Sequence, residues 1–82
     1  MSGNLLGVVS LYHEILKRLR AQKEVTQLQL AEALGRPQSF VSKYESGERR
    51  LDVLEFIQVC NALNESPSDV IQKIEKGRKR GI

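Results

Sequence analysis

The sequence predicts an all-α domain of five short helices, on three observations. No stretch alternates apolar and polar residues with the period of two that a half-buried strand needs. Apolar residues recur instead at spacings of three and four, the stripe of a helix packed on one side. The prolines and the glycines at 35, 47 and 77 fall at the junctions between those stripes, where the cap-forming residues Thr26, Asp52 and Ser66 also stand. With 82 residues the chain has room for one core, and a chain this short buries about 60% of its unfolded surface. A helical segment over residues 10–76 is expected to form the domain, with an apolar extension at 1–9 and a basic tail at 77–82.

The first helix is read from about Ser10 to Gln22, with Leu11, Ile15, Leu16 and Leu19 on one side. A start just after Asn4 stays open, because Leu5, Leu6, Val8 and Val9 are too apolar for a free tail. Gly7 weakens that extension by about 1 kcal/mol relative to alanine. His13 is assigned to the surface of this helix.

The second start is the clearest. Thr26 caps with its hydroxyl, Gln29 three residues on reaches back to complete a capping box, and Val25 with Leu30 forms a hydrophobic staple. Leu30, Ala31 and Leu34 make the buried stripe, and Gly35 ends the helix where a positive φ is often required. The third helix opens near Pro37 and runs to Ser46, with Gly47 as its stop. The fourth has Asp52 as cap and Glu55 at N3, buries Phe56, Ile57, Cys60 and Leu63, and stops at Asn64. The fifth has Ser66 as cap, Pro67 at N1, Asp69 in its first turn and Val70, Ile71 and Ile74 as its apolar side. Gly77 is expected to end it.

Composition narrows the function. No apolar run approaches the ~20 residues that cross a bilayer, and Met1–Ser10 lacks the basic leader and small-residue cleavage site of a secretion signal. One cysteine, Cys60, cannot form an internal disulfide, and it reads as a core thiol beside Phe56 and Ile57. One histidine cannot build a metal site. A reducing cytoplasm is the expected compartment. There is no Ser, His and Asp arrangement, Gly-rich phosphate loop or HExxH pair, so neither catalysis nor a cofactor is expected. The net charge of +3 is not evenly spread. Four of the thirteen lysines and arginines sit in 76–82, leaving nine against ten acidic residues. The basic character therefore belongs to the tail, which is open to reading as a DNA-backbone arm or as solvated chain.

The second and third helices, joined by the short turn at Gly35–Pro37, fit a helix-turn-helix. Ala31 is small where the partner helix approaches closely, Gly35 follows four residues later for the same reason, and Val41 six residues beyond supplies the apolar anchor. At about 100° per residue, Gln38, Ser39, Ser42 and Lys43 share one side of the third helix, opposite Val41 and Tyr44. That row carries hydrogen-bonding groups and no carboxylate. Gln pairs bidentately with adenine, Lys donates to guanine and Ser serves either way. Phe40, beside the row, either meets a thymine methyl or packs against the fourth helix. The amino terminus of the second helix offers free N–H groups and positive dipole to a phosphate. Arg49 and Arg50 are adjacent cations just past the third helix, suited to contacts that fix register.

The pair "TQLQLAEALG" and "SFVSKYESGERR", within a stretch from Leu16 to about Leu63, resembles the phage-repressor and Cro-like helix-turn-helix proteins, the Xre family. The likeness extends loosely through the fifth helix. It implies a lambda-repressor-like domain that binds double-stranded operator DNA as a dimer and regulates transcription. By position it implies a phosphate contact and support of the recognition helix for Gln27, base-facing roles for Gln38, Ser39, Ser42 and Lys43, and a structural ion pair between Arg20 and Glu45. Ser46, Arg49 and Arg50 fall in the loop that grips the DNA backbone. Arg36 departs from the small or apolar residue common at its position and reads as a further phosphate contact.

The expected function is sequence-specific DNA binding by a transcriptional regulator, with repression as the expected direction. A homodimer on a palindromic site is expected, associating through Val70, Ile71 and Ile74 or through Leu5, Leu6, Val8 and Val9. The alternatives are an antitoxin or restriction-modification controller that binds DNA together with a protein partner, and a protein-interaction module that keeps the fold without the DNA.

Overall fold

The computed structural model describes the backbone of residues 2–81 and the side chains of residues 12–77. Its helices are α1 (Ser2–Gln22), α2 (Gln27–Leu34), α3 (Gln38–Glu45), α4 (Val53–Ala62) and α5 (Pro67–Gly81). The order and number match the sequence reading, and no strand occurs among the described residues. Helix α1 packs on α5 and α3, α2 on α3 and α4, and α4 on α5. The 21 residues of α1 rise about 31 Å at 1.5 Å each, which accounts for the long axis of a 37 × 24 × 22 Å molecule.

Local chemistry sets most boundaries. Thr26 Oγ1 accepts from the Gln29 N–H at 3.0 Å and Gln29 Oε1 accepts from the Thr26 N–H at 2.9 Å. Asp52 and Glu55 repeat the capping box at α4. Gly35 closes α2 at φ 67°, and the Arg36 N–H returns to the Ala31 carbonyl at 2.9 Å, the bond of a Schellman-type end. Asn64 takes φ 58° after α4, as its type allows, and Glu24 takes φ 59° after α1.

Leu16, Leu30, Val41, Tyr44, Val59, Cys60, Leu63 and Val70 are fully enclosed and join all five helices in one core. Each buried aliphatic or aromatic side chain contributes about 1.5–3 kcal/mol. Val41 and Tyr44 therefore hold α3 down by its inner side and leave its outer side free. Cys60 is a core thiol, and burial pushes its pKa up to about 11. No helix among the described residues is long and apolar enough to cross a membrane.

Several expectations are corrected. Helix α1 starts at Ser2, so residues 2–9 continue the helix; the side chains of Leu5, Leu6, Val8, Val9 and Leu11 lie outside the described residues. Helix α5 continues past Gly77 to Gly81, so the 77–81 part of the tail is helical, while the side chains of Arg78, Lys79 and Arg80 lie outside the described residues. A glycine at ordinary negative φ costs a helix about 1 kcal/mol but does not end it; positive φ is confined to Gly35 and Gly47 among the described glycines. Gly35 is not a close-approach residue, since a Cβ built there meets nothing within 4 Å, and its backbone angle alone requires glycine. On α4, Val59 takes the buried place expected of Ile57, which is 36% exposed. Val70 belongs to the core, Ile74 is half-buried and Ile71 faces out. Ser66 accepts the first α5 bond through its carbonyl, while its hydroxyl pairs with that of Ser68.

His13 is buried, not at the surface. Residues 13, 16 and 20 fall on one helical stripe, so His13 shares the inward side with Leu16. Its Nδ1 donates to the Glu45 carbonyl at 3.1 Å, and its ring stands against Gly47.

Candidate nucleic-acid interface

The outer side of α3 is open. Gln38, Ser39 and Lys43 are exposed, and Ser42 is half-buried. The Ser42 hydroxyl donates back to the Ser39 carbonyl at 3.2 Å. Lys43 forms no ion pair among the described residues. Phe40 lies inward, edge-on to Tyr44 with ring centres 5.7 Å apart, and is 8% exposed. Packing is thus the geometry it adopts.

Behind this face runs a chain of hydrogen bonds. Arg20 Nε donates to Glu45 Oε2 at 2.7 Å and Nη2 to Oε1 at 3.1 Å, while Nη1 donates to the Val25 carbonyl at 2.7 Å. Glu45 Oε1 also receives Gln27 Nε2 at 2.9 Å, and Gln27 Oε1 receives Gln38 Nε2 at 3.5 Å. Because a carboxylate only accepts, Gln27 must turn its amide nitrogen to Glu45 and its oxygen to Gln38. Gln38, exposed at the start of α3, keeps its own oxygen and one N–H without a partner among the described residues, one acceptor and one donor. The structure so brings together Arg20, Glu45, Gln27 and Gln38 from three helices. The Glu45 carboxylate raises the Arg20 pKa, first through its hydrogen bond.

The loop after α3 folds back on the helix end. The Lys43 carbonyl accepts from the Glu48 and Arg49 N–H groups at 2.9 and 3.1 Å and from the Ser46 hydroxyl at 3.0 Å. Gly47, at φ 84°, lets the chain turn against His13; a Cβ there would stand 3.0 Å from the imidazole Nε2. Tyr12 secures the far end, its hydroxyl accepting the Leu51 N–H at 2.8 Å. Arg50 points from this loop to solvent, whereas Arg49 turns to α4. There Glu55 takes Arg49 Nη1 at 3.0 Å and Nη2 at 2.9 Å, together with Arg36 Nη2 at 3.3 Å. Both guanidinium groups lie over the Phe40 ring, at 4.5 Å for Arg36 and 4.8 Å for Arg49. Arg49 and the Asp52 N–H hold the Glu55 carboxyl down to about pKa 2.

Three positioning residues went unread in the sequence. Glu55 showed only its capping role; the side chains it gathers come from loops whose course the sequence does not give. Tyr12 carried no signal at all. His13 did, in its spacing to Leu16 and Arg20.

A helix-turn-helix family model matches residues 16–70. An Xre-family-like protein from Pseudomonas syringae pv. tomato is 42% identical, with a TM-score of 0.80 over 84% of each chain. The clp gene regulator ClgR of Corynebacterium glutamicum is 27% identical, with a TM-score of 0.80 over 90% of this chain and 79% of that one. The restriction-modification controller protein C.AhdI of Aeromonas hydrophila is 27% identical, with a TM-score of 0.69 over 77% of this chain and 94% of that one. No curated protein sequence matches the chain.

Proposed function

The chain belongs to the Xre-type helix-turn-helix family of DNA-binding transcriptional regulators, and on that premise we propose that α3 reads base edges in the major groove through Gln38, Ser39, Ser42 and Lys43. The observation that carries this reading is the Arg20–Glu45–Gln27–Gln38 chain. It presets the Gln38 amide with one donor and one acceptor without a partner among the described residues, the pattern an adenine edge requires. Arg50 and Ser46 contact the sugar-phosphate backbone from the loop, Gln27 does so beside the amino terminus of α2, and Arg36 and Arg49 flank the two ends of α3. These contacts fix register, and the α3 side chains supply preference.

Two copies bind a palindromic operator, with half-sites about 34 Å apart. The surface for association is the apolar side where α4 meets α5. Val53 and Ile71 are exposed there, in a groove also lined by Tyr12, Arg50, Phe56 and Ile74. Repression is the proposed direction, because occupying DNA that polymerase needs requires no further surface. The likeness to a restriction-modification controller protein favours, as a second reading, a controller whose operator lies beside the genes of such a system.

Selection from random duplexes of about 30 base pairs, long enough for two half-sites one turn apart, tests the reading. It is expected to return a palindrome, bound with steep salt dependence. Recovery of no motif, with weak binding that disappears as salt rises, would contradict it. Sedimentation of wild type and Ile71→Glu tests the dimer: wild type is expected to associate and the variant to remain monomeric. A monomeric wild type would remove the dimer.

A further inference from the structure

Glu55 does more than cap α4. A capping box needs one Glu55 oxygen for the Asp52 N–H, at 3.1 Å, yet the same carboxylate binds Arg49 through two N–H groups and Arg36 through one. Arg36 precedes α3 and Arg49 follows it, so one carboxylate ties together the cations at the two ends of the outward-facing helix. The Glu55 side chain is 10% exposed, against 38% and 40% for Arg36 and Arg49. The carboxylate is the shielded partner and the guanidinium groups are its wet rim. Both lie over the Phe40 ring, whose face attracts the cations and helps hold them there.

We propose that Glu55 is a specificity-determining residue: by offsetting one of the two positive charges of Arg36 and Arg49 and holding both groups as oriented hydrogen-bond donors, it lowers sequence-independent attraction to DNA while keeping both aimed for the specific complex. The inference rests on the DNA-binding reading above. Its physical basis is that non-specific affinity comes from cations replacing counterions on phosphates. A guanidinium already paired with a carboxylate displaces fewer of them. It still has N–H groups left for a phosphate oxygen, since Arg carries five. Arg50 forms no ion pair among the described residues and acts as a full cation.

Glu55→Gln tests this, since glutamine also serves at N3 of a capping box. Binding is measured over a salt series to a random-sequence duplex and to the selected operator, with circular dichroism as the check of folding. The variant is expected to bind the random duplex about threefold to tenfold more tightly at low salt, with a slope of log K on log salt steeper by about 0.9 per cation released. The preference for operator over random duplex is expected to fall. In an Arg36→Gln/Arg49→Gln background the same change is expected to have no effect on the slope. Persistence of the full gain in that background would overturn the proposal, since net charge alone would explain it. An unchanged slope in folded Glu55→Gln would overturn it too. A second comparison does not depend on that variant folding: Arg49→Gln is expected to change the random-duplex slope by less than half as much as Arg50→Gln, and equal effects would overturn the proposal. Failure of the wild type to bind any duplex would defeat the DNA reading, and this inference with it.

Discussion

Two glutamates each organise a polar cluster in this molecule, and their surroundings make them opposites. Glu45 and Glu55 each hold an arginine through two hydrogen bonds. The Arg20–Glu45 pair is sealed, with side chains 13% and 2% exposed. It is completed by the Val25 carbonyl and the Gln27 amide, so nearly every polar atom is spoken for. Around Glu55 the arginines stay wet and lie over a ring. The first cluster is part of the frame that sets α3 against α1. The second is a surface device that adjusts charge and aim. The same ion-pair chemistry thus serves different ends according to how much water reaches it.

The largest way to break this contrast is Glu45→Gln, which leaves the Arg20 guanidinium enclosed without a counter-charge. Breaking a buried pair costs about 3–5 kcal/mol, so the urea midpoint is expected to fall steeply, and clearly further than in Glu55→Gln. Similar shifts for the two would erase the distinction. Gly47→Ala comes next. Its left-handed φ and the clash with His13 are expected to cost about 1–3 kcal/mol, more than Gly35→Ala, where the backbone angle acts alone. An equal loss at both glycines would show that the imidazole yields freely.

The pH dependence sharpens the Glu55 side. Its folded pKa of about 2 lies below the ordinary 4.5. The paired carboxylate therefore contributes stability that is fully present above pH 4.5 and is lost as pH falls from 4.5 toward 2. Denaturation measured across that range is expected to show an acid loss in wild type that is reduced in Glu55→Gln; identical profiles would contradict it. The smallest effect is at Tyr44, whose hydroxyl is enclosed and finds no partner among the described residues. Burial, the first cause, raises its pKa. Tyr44→Phe removes an unsatisfied polar group and is expected to raise the unfolding free energy by up to about 1 kcal/mol. A loss of that size would mean the hydroxyl is engaged.

What was legible in the sequence divides along the same physical line. Caps and turns are local, so Thr26, Asp52, Gly35 and Asn64 declared the start or stop of their helices. The outward row on α3 followed from one period and the anchors Val41 and Tyr44. Contacts between segments are another matter. The Arg20–Glu45 pair came from family likeness, not from spacing, and the bonds from Arg36 and Arg49 to Glu55 depend on how the loop after α3 folds back. Gly77 misled because glycine punctuates only when its φ is positive. His13 misled because a polar residue on the inward stripe was weighed by its type rather than by its place beside Leu16 and Arg20.

The most direct test of the central claim compares wild type, Lys43→Ala and Arg50→Ala on the selected operator and on each of its single base-pair substitutions. If α3 reads bases while the loop holds the backbone, Lys43→Ala will flatten the preference at one base pair by about 1–3 kcal/mol. Arg50→Ala will weaken every duplex alike. Uniform losses from both variants would place Lys43 on the backbone and contradict the assignment of α3 to the groove.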